Sequence, residues 1–280
     1  MQKKIRIAIV GSTSFIGQKF LSYINKKKFI VVATYRTKKN INKKYNFKWK
    51  KLDINEKKKD YFKYLENPDI VINFLWDDIP HYYLKSHIKT YKIQKNFISN
   101  LIKKGLKNII VLGTCYEYGK VSGKLSENTK EKPIIPYAIA KLKLLKSIKH
   151  LKKNYNFKFS WLRPFFVYGN NKKRKNLFSL INDLEKGKIK KLKVCGNLKR
   201  DFISVKYLCY CILKIIFLNK NIGILNISSG TGITLKKFVL KNIKNKKNIK
   251  KIEMNGINPN KFEPNSFWGN NSKLKNILQT

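Results

Sequence analysis

A short segment at the amino terminus constrains the fold more than any other feature of this sequence. Residues 5–10 are mostly apolar and rich in β-branched side chains, which is typical of a buried strand. The strand leads directly into the turn Gly-Ser-Thr-Ser-Phe-Ile-Gly at 11–17, and a helix-like segment follows to about residue 25. A strand, a glycine-containing turn and a helix in this order are the local context of a dinucleotide-binding sheet.

The residues of this turn have separate predicted roles. Gly11 permits a tight turn, and Gly17 permits the helix to pack closely against the strand. Ser14 occupies a position that is usually glycine, but its small side chain would still admit a pyrophosphate bound by backbone amides at the helix start. An ordinary strand-to-helix connection is the alternative. The residues predicted to contact a dinucleotide here are Gly11, Thr13, Ser14, Phe15, Ile16 and Gly17.

The second predicted strand, residues 29–35, ends beside Arg36. An acidic residue near this position binds the ribose 2′-hydroxyl of NAD, whereas an arginine accommodates the 2′-phosphate of NADP. No acidic residue occurs between Arg36 and Lys51. The sequence therefore predicts NADPH, with NAD as the alternative cofactor and a plain surface arginine as the alternative interpretation of Arg36.

Four further segments continue the strand pattern, at residues 47–52, 69–74, 108–112 and 157–162, with helix-like segments between several of them. In open α/β sheets the ligand binds beyond the carboxyl ends of the strands. We therefore expect functional residues directly after these strands. The candidates are Asp53 and Ile54 near the adenine, Leu75 and Trp76 after the fourth strand, and Thr114 and Tyr116 after the fifth.

A tyrosine and a lysine four residues apart, Tyr137 and Lys141, form the candidate catalytic pair. Pro136 suits the first turn of a helix, and positions i and i+4 lie on one helix face. The ammonium would stabilise the phenolate and lower the pKa of Tyr137, which makes the phenol a candidate general acid and base. In so lysine-rich a chain the spacing alone is weak, and a surface helix is the alternative.

Thr114 would place a hydroxyl where a substrate oxygen could accept its hydrogen bond. Cys115 competes with it as a candidate nucleophile. No histidine lies close in sequence to activate the thiol, so we interpret Cys115 as a packing residue.

Charge would first suggest a nucleic-acid binder, because the formal net charge is +48. Only five of the cationic residues are arginine, and the lysines are spread along the whole chain. Since arginine is preferred for bidentate phosphate contacts, we interpret most of the lysine as solvated surface and expect no specific nucleic-acid partner.

Cysteines and histidines show no metal-ligand or disulfide spacing, so we expect no metal site. We expect no signal peptide and no membrane insertion, because the apolar run at 207–218 is short and interrupted by Lys214. The predicted compartment is a reducing cytoplasm.

Six motifs in the same order resemble those of the extended short-chain dehydrogenase/reductase family of nucleotide-sugar epimerases, dehydratases and reductases. Each is modest alone, and together they cover nearly the whole chain. They are the Gly11–Gly17 turn, Thr114 before Tyr118-Gly119, the Tyr137–Lys141 spacing, Arg163-Pro164 with Tyr168-Gly169, the segment 199–205 with Ser204 in place of histidine, and Asn226 to Gly230.

The resemblance implies an α/β fold with a Rossmann-type doubly wound parallel sheet and a smaller, discontinuous α/β substrate lobe. Residues 1–164 with about 201–228 would bind the dinucleotide, and residues 165–200 with 229–280 would form the lobe. It further implies a nicotinamide near Pro164, Phe166 and Val167, a nucleotide diphosphate near Arg200, and possible homodimerisation through helices at 83–104 and 137–151.

Within this family the chain looks most like reductases of nucleotide-activated 4-keto-6-deoxy sugars. The resemblance rests on the segment 113–119, on Trp76 and on the segment 263–269. Such enzymes supply deoxyhexoses for O-antigen and other surface polysaccharides, including lipopolysaccharide. The resemblance therefore implies NADPH-dependent reduction of a nucleotide-linked sugar ketone, catalysed by Thr114, Tyr137 and Lys141. A 4-epimerase with tightly bound NAD is the alternative, and a basic binding protein on the same fold is a more distant one.

Overall fold

The computed structural model describes residues 3–38, 41, 45–170, 176–255 and 262–279. Its strands are, in chain order, β1 (Ile5–Val10), β2 (Phe29–Tyr35), β3 (Lys48–Lys51), β4 (Ile70–Asn73), β5 (Asn108–Leu112), β6 (Gly123–Leu125), β7 (Lys158–Pro164), β8 (Phe166–Tyr168), β9 (Leu192–Lys193), β10 (Lys199–Arg200), β11 (Phe202–Ser204), β12 (Gly223–Ile227), β13 (Ile233–Thr234), β14 (Ile252–Glu253) and β15 (Phe267–Gly269).

The α-helices are fewer and alternate with the long strands. They are α1 (Phe15–Leu21), α2 (Tyr61–Tyr64), α3 (Ser86–Lys103), α4 (Pro136–Asn154), α5 (Leu177–Glu185), α6 (Val205–Leu218), α7 (Leu235–Asn242) and α8 (Ser272–Leu278), with short 3₁₀ segments at Cys115–Tyr118 and Lys246–Lys251. None of the helices described is long and apolar enough to cross a membrane.

A seven-stranded sheet, parallel throughout, forms the centre of the molecule in the order β12-β7-β5-β4-β1-β2-β3. The chain moves outward in one direction from β1 to β3 and then in the other from β4 to β12. The strand order therefore reverses between β1 and β4, where open α/β sheets form their ligand crevice. The predicted doubly wound Rossmann-type fold is confirmed.

Helices cover both faces of this sheet, which is why its central strands are continuously apolar. One apolar core packs α1, α6 and α8 against the sheet, with Phe20, Leu208 and Leu274 buried. The other packs α2, α3 and α4, with Phe97 and Leu144 buried. The apolar run at 207–218, too short to span a membrane, forms the larger part of α6 and is buried on one side of the sheet.

Short two-stranded pairs build the rest of the described chain, and a third apolar cluster lies between α5 and α7. The sequence around Trp268-Gly269 predicts a turn, and this prediction is wrong, because these residues belong to β15, which pairs in parallel with β6. The partner strand lies far away in sequence, so no local pattern announces the pairing. The division into a dinucleotide domain and a discontinuous lobe stays a prediction.

Candidate active site

The first strand-to-helix turn can hold only glycine at its two ends. Gly11 has a φ of +79°, and a Cβ built there would lie 2.9 Å from the backbone nitrogen of Leu75. A Cβ on Gly17 would lie 2.3 Å from the carbonyl oxygen of Gly11. The turn and helix α1 are therefore packed in backbone contact, in agreement with the roles predicted for both glycines.

Side-chain hydroxyls fix this turn from the inside. Ser14 caps α1, and its Oγ accepts a hydrogen bond from the Gly17 N–H at 3.1 Å. Thr34, at the end of β2, accepts from the Gly11 N–H at 3.1 Å, and its own N–H donates to the buried Ser12 Oγ at 3.2 Å. Sequence reasoning missed Ser12 and Thr34, because their role depends on the pairing of β1 with β2.

Arg36 meets an acidic partner that its sequence neighbourhood did not reveal. Its guanidinium forms a half-exposed ion pair with Asp77, which follows β4, at 3.0 Å. Asp53, after β3, accepts two hydrogen bonds from Asn55. Burial would raise the pKa of Asp53, but these bonds and the charge of Arg36 outweigh that effect and lower it. Two carboxylates therefore lie near Arg36.

A cavity of about 240 Å³ opens at the carboxyl ends of the strands. It brings together ten of the residues predicted from the sequence, namely Phe15, Ile16, Trp76, Thr114, Tyr116, Tyr137, Lys141, Pro164, Phe166 and Val167. The remaining predicted residues do not line it, and they are Gly11, Thr13, Ser14, Gly17, Arg36, Asp53, Ile54, Leu75 and Arg200.

Lys141 is buried, and its ammonium has two close neighbours. Nζ donates to the carbonyl oxygen of Leu112 at 2.7 Å and lies 3.8 Å from the centroid of the Trp76 ring. It is 5.8 Å from the ring centroid of Tyr137, which shares its face of α4. Burial lowers the pKa of Lys141 to about 7, although the carboxylate of Glu117 opposes the shift. The amine can therefore change its charge near neutral pH.

Thr114 begins the 3₁₀ turn at Cys115–Tyr118, and the turn fixes its orientation. The Thr114 hydroxyl oxygen accepts from the Tyr116 N–H at 3.3 Å. Since a hydroxyl is also a donor, its proton can serve a substrate oxygen in the cavity. Glu117 accepts the Thr114 N–H at 2.9 Å and completes the cap.

Glu117 is the centre of a buried charge network that sequence reasoning did not assign. Its carboxylate accepts from Trp161 Nε1 at 3.0 Å and pairs with Arg163 at 2.7 Å. Arg163 also pairs with Glu131 at 2.7 Å. The sequence held one indication of this role, because a glutamate stands directly before Tyr118 in a chain that has only 15 acidic residues.

Arg200 is buried among protein groups rather than presented to the cavity. Its guanidinium pairs with Glu263 at 2.8 Å and donates to two backbone carbonyls. Its Cζ lies 5.4 Å from the ring centroid of Phe166 and 5.1 Å from that of Phe267. Glu263 also accepts the hydroxyl of Tyr116 at 3.2 Å. Two of the predicted substrate-binding residues, Tyr116 and Arg200, are thus joined through Glu263, and a contact from Arg200 to a diphosphate stays a prediction.

The environment of Cys115 does not favour the nucleophilic role that was considered for it. Cys115 is buried, and burial raises the pKa of its thiol, which disfavours the nucleophilic thiolate. Its placement agrees with the packing interpretation. All four cysteines are buried free thiols.

The residues present fit a bound dinucleotide. The glycine turn has no room for a side chain at either end, and Phe15 and Ile16 in the first turn of α1 form one wall of the cavity. Thr114, Tyr137 and Lys141 form another part of its lining. A cofactor anchored at the turn would therefore present its reactive end to these three residues.

The model of the NAD-dependent epimerase/dehydratase family matches residues 7–228. The chain belongs to this family. The match begins within β1 and ends just after β12, so it includes all seven strands of the central sheet except the first two residues of β1. It also includes Thr114, Tyr137 and Lys141. The protein is thus an enzyme of the family.

The individual proteins to which the chain is similar are identical to it at only 17% to 26% of the aligned positions. The chain is 26% identical to a dTDP-6-deoxy-L-talose 4-dehydrogenase (NAD(+)) of Aggregatibacter actinomycetemcomitans over 217 residues, which are 76% of this chain and 78% of that protein. A UDP-N-acetylglucosamine 4-epimerase of Methanobrevibacter ruminantium has a TM-score of 0.81 at 17% identity, covering 99% of this chain and 92% of that one. A UDP-glucuronic acid 4-epimerase of Bacillus cereus, solved with NAD, scores 0.80 at 22% identity, covering 98% and 91%.

Proposed function

We propose that the protein reduces the 4-keto group of a nucleotide-activated 6-deoxyhexose with NADPH. The observation that carries the proposal is that Thr114, Tyr137 and Lys141, all three buried, line one cavity at the carboxyl edge of the sheet. A relative named as acting at position 4 of a dTDP-6-deoxy sugar supports the choice of reaction. The product would serve O-antigen or another surface polysaccharide.

Each residue of the proposed catalytic set has a separate task. Tyr137 gives its phenolic proton to the carbonyl oxygen of the sugar as that oxygen gains negative charge. Thr114 donates a hydrogen bond to the same oxygen and stabilises the developing charge. Lys141 binds the cofactor ribose and supports the ionised form of Tyr137. The nicotinamide supplies the hydride when it is bound.

The substrate side of the proposal rests on the walls of the cavity. Phe166, Phe178, Phe202 and Phe238 line it, and apolar rings suit the methyl group of a 6-deoxy sugar. We assign the nucleotide to the lobe formed by 165–200 and 229–280. Solved proteins with the same fold include one bound to a UDP-linked sugar, which supports this class of substrate.

A 4-epimerase with tightly held NAD is the second candidate. The observation that favours it is the ion pair between Arg36 and Asp77. In this pair the guanidinium predicted to bind a 2′-phosphate already has a carboxylate partner. Mass spectrometry of the cofactor released from purified protein separates the two candidates. Bound NAD with no net consumption of NADPH would exclude the reductase.

The direct test offers NADPH and a panel of nucleotide-linked 4-keto-6-deoxy sugars, and follows the loss of NADPH absorbance. Tyr137→Phe removes the proton donor and keeps the ring, so we expect kcat to fall by about 10³-fold or more. NADPH affinity, measured by fluorescence titration, should remain nearly unchanged. More than a few per cent of residual activity would contradict the role of Tyr137.

A further inference from the structure

A buried histidine lies against the proposed catalytic pair without belonging to it. His87, in the first turn of α3, is fully buried, whereas His81 and His150 are exposed. The His87 ring centroid is 5.3 Å from that of Tyr137. A group that titrates near neutral pH is seldom buried beside a reactive phenol without a hydrogen-bonding reason.

The hydrogen bonds of His87 define one protonation state. Trp76 Nε1 lies 3.2 Å from His87 Nδ1, and an indole nitrogen can only donate. Nδ1 must therefore accept. Nε2, 3.0 Å from the carbonyl oxygen of His81, must carry the proton and donate it. Both bonds require the neutral ring, because an imidazolium would set one N–H against another.

Trp76 transmits this constraint to the proposed catalytic residues. The Lys141 ammonium lies 3.8 Å from the centroid of the indole ring. The indole and the Tyr137 ring form a T-shaped contact, with centroids 5.9 Å apart and an interplanar angle of 80°. A cation held over an indole face is attracted by the ring, most strongly where water is excluded. The orientation of the indole therefore decides where the Lys141 ammonium is most stable.

We propose that His87 is a positioning residue, whose neutral ring fixes the Trp76 indole so that its face holds the ammonium of Lys141 beside Tyr137. The proposal rests on the catalytic roles proposed for Tyr137 and Lys141. His87 itself touches none of the reacting atoms. Sequence reasoning saw it only as a histidine without metal-ligand spacing.

Charged and titratable groups on each neighbouring segment act on His87. Burial lowers the pKa of His87, and the positive charge of Lys141 lowers it further. The hydrogen bond to the His81 carbonyl and the negative charge of Asp78 raise it. Tyr137 packs against the ring from α4. The net shift is downward, so the ring stays neutral at pH 7, and acid below the ordinary pKa of about 6.5 would break the bond from Trp76.

The test compares His87→Phe, which keeps a ring but cannot accept a hydrogen bond, with His87→Asn, which can place an amide oxygen near the position of Nδ1. His150→Phe, at an exposed histidine, is the matched control. The first readout is the indole N–H resonance of Trp76 in ¹H–¹⁵N NMR, assigned with Trp76→Phe. The second is kcat and KM under the assay for the proposed reductase.

We expect His87→Phe to move the Trp76 indole resonance and to lower kcat about tenfold to a hundredfold, with the KM for the sugar nucleotide within about twofold of the parent value. His87→Asn should restore much of both, and its kcat should lack the decline that the parent shows as acid protonates His87. His150→Phe should change neither readout.

An unchanged indole resonance in His87→Phe would overturn the proposal, and so would a moved resonance with an unchanged kcat. If His87→Phe does not fold, His87→Asn and the acid titration of the parent Trp76 resonance decide the question. If the parent turns over no sugar nucleotide, the proposed function fails, whereas the indole readout still reports on the contact between His87 and Trp76.

Discussion

At the scale of single residues, the buried carboxylate of Glu117 acts on both Thr114 and Lys141. It accepts the Thr114 N–H, and its charge raises the pKa of Lys141 against the effect of burial. In Glu117→Gln that charge is lost, so Lys141 should lose its proton at a lower pH. We expect the alkaline limb of kcat/KM to move down by up to about one pH unit.

The pH profile should be measured beside that of Glu131→Gln, after circular dichroism has shown that both variants fold. Glu131 shares the partner Arg163, but the pKa shift of Lys141 has no contribution from it. Glu131→Gln should therefore keep the parent profile. Equal shifts in both variants would mean that the loss of an ion pair to Arg163, rather than the charge beside Lys141, controls the profile.

The residues that sequence could predict are those whose role follows from local spacing. Tyr137 and Lys141 are one helical turn apart, and Pro136 marks the helix start. Partners brought together by the fold had no such signal. Asp77 is 41 residues from Arg36, and Glu263 is 63 residues from Arg200. The prediction of NADPH from Arg36 considered only the sequence up to Lys51 and therefore missed that ion pair.

At the scale of elements, the junction between the glycine turn and α1 depends on backbone contact. A methyl group at position 17 would meet the carbonyl oxygen of Gly11, which cannot move without displacing β1. We expect Gly17→Ala to lower the free energy of unfolding by about 3 kcal/mol or more and to weaken cofactor binding. Urea denaturation and a fluorescence titration with NADPH measure the two effects.

Gly187→Ala is the control for backbone conformation. Gly187 has a φ of +69°, and a Cβ there would meet nothing within 4 Å, so only the left-handed conformation is penalised, by about 1 kcal/mol. A loss of stability in Gly17→Ala no larger than this would show that the turn can relax. The packing role of Gly17 would then be wrong.

The elements that sequence predicted well are those of the central sheet. Buried parallel strands are continuous apolar runs, and six strands of this sheet, β1 to β5 and β7, lie within about two residues of their predicted segments. Helix α1 ends at Leu21 rather than near residue 25, and α3 begins at Ser86 rather than at residue 83. The pairs β6 with β15 and β9 with β14 have two or three residues a strand, too few for any periodicity to show.

At the scale of the whole molecule, the charge is arranged unfavourably for the dimer that the resemblance implied. Every charged side chain on the two helices concerned, α3 and α4, is a lysine, and neither helix contains an acidic residue. A groove of about 460 Å³ between them is lined in part by Lys95, Lys143 and Lys146. Pairing this face with its copy would bring two sets of lysines together.

Repulsion between exposed charges falls as salt shortens the Debye length from about 14 Å to about 4 Å between 50 mM and 500 mM ionic strength. If α3 and α4 form the dimer interface, association measured by sedimentation should therefore strengthen with salt. Lys143→Gln with Lys146→Gln should strengthen it at low salt, because the change removes four charges from a symmetric interface. The control pair Lys26→Gln with Lys27→Gln, exposed after α1, should not. Association that weakens with salt, or that responds equally to both pairs, would place the interface on another face.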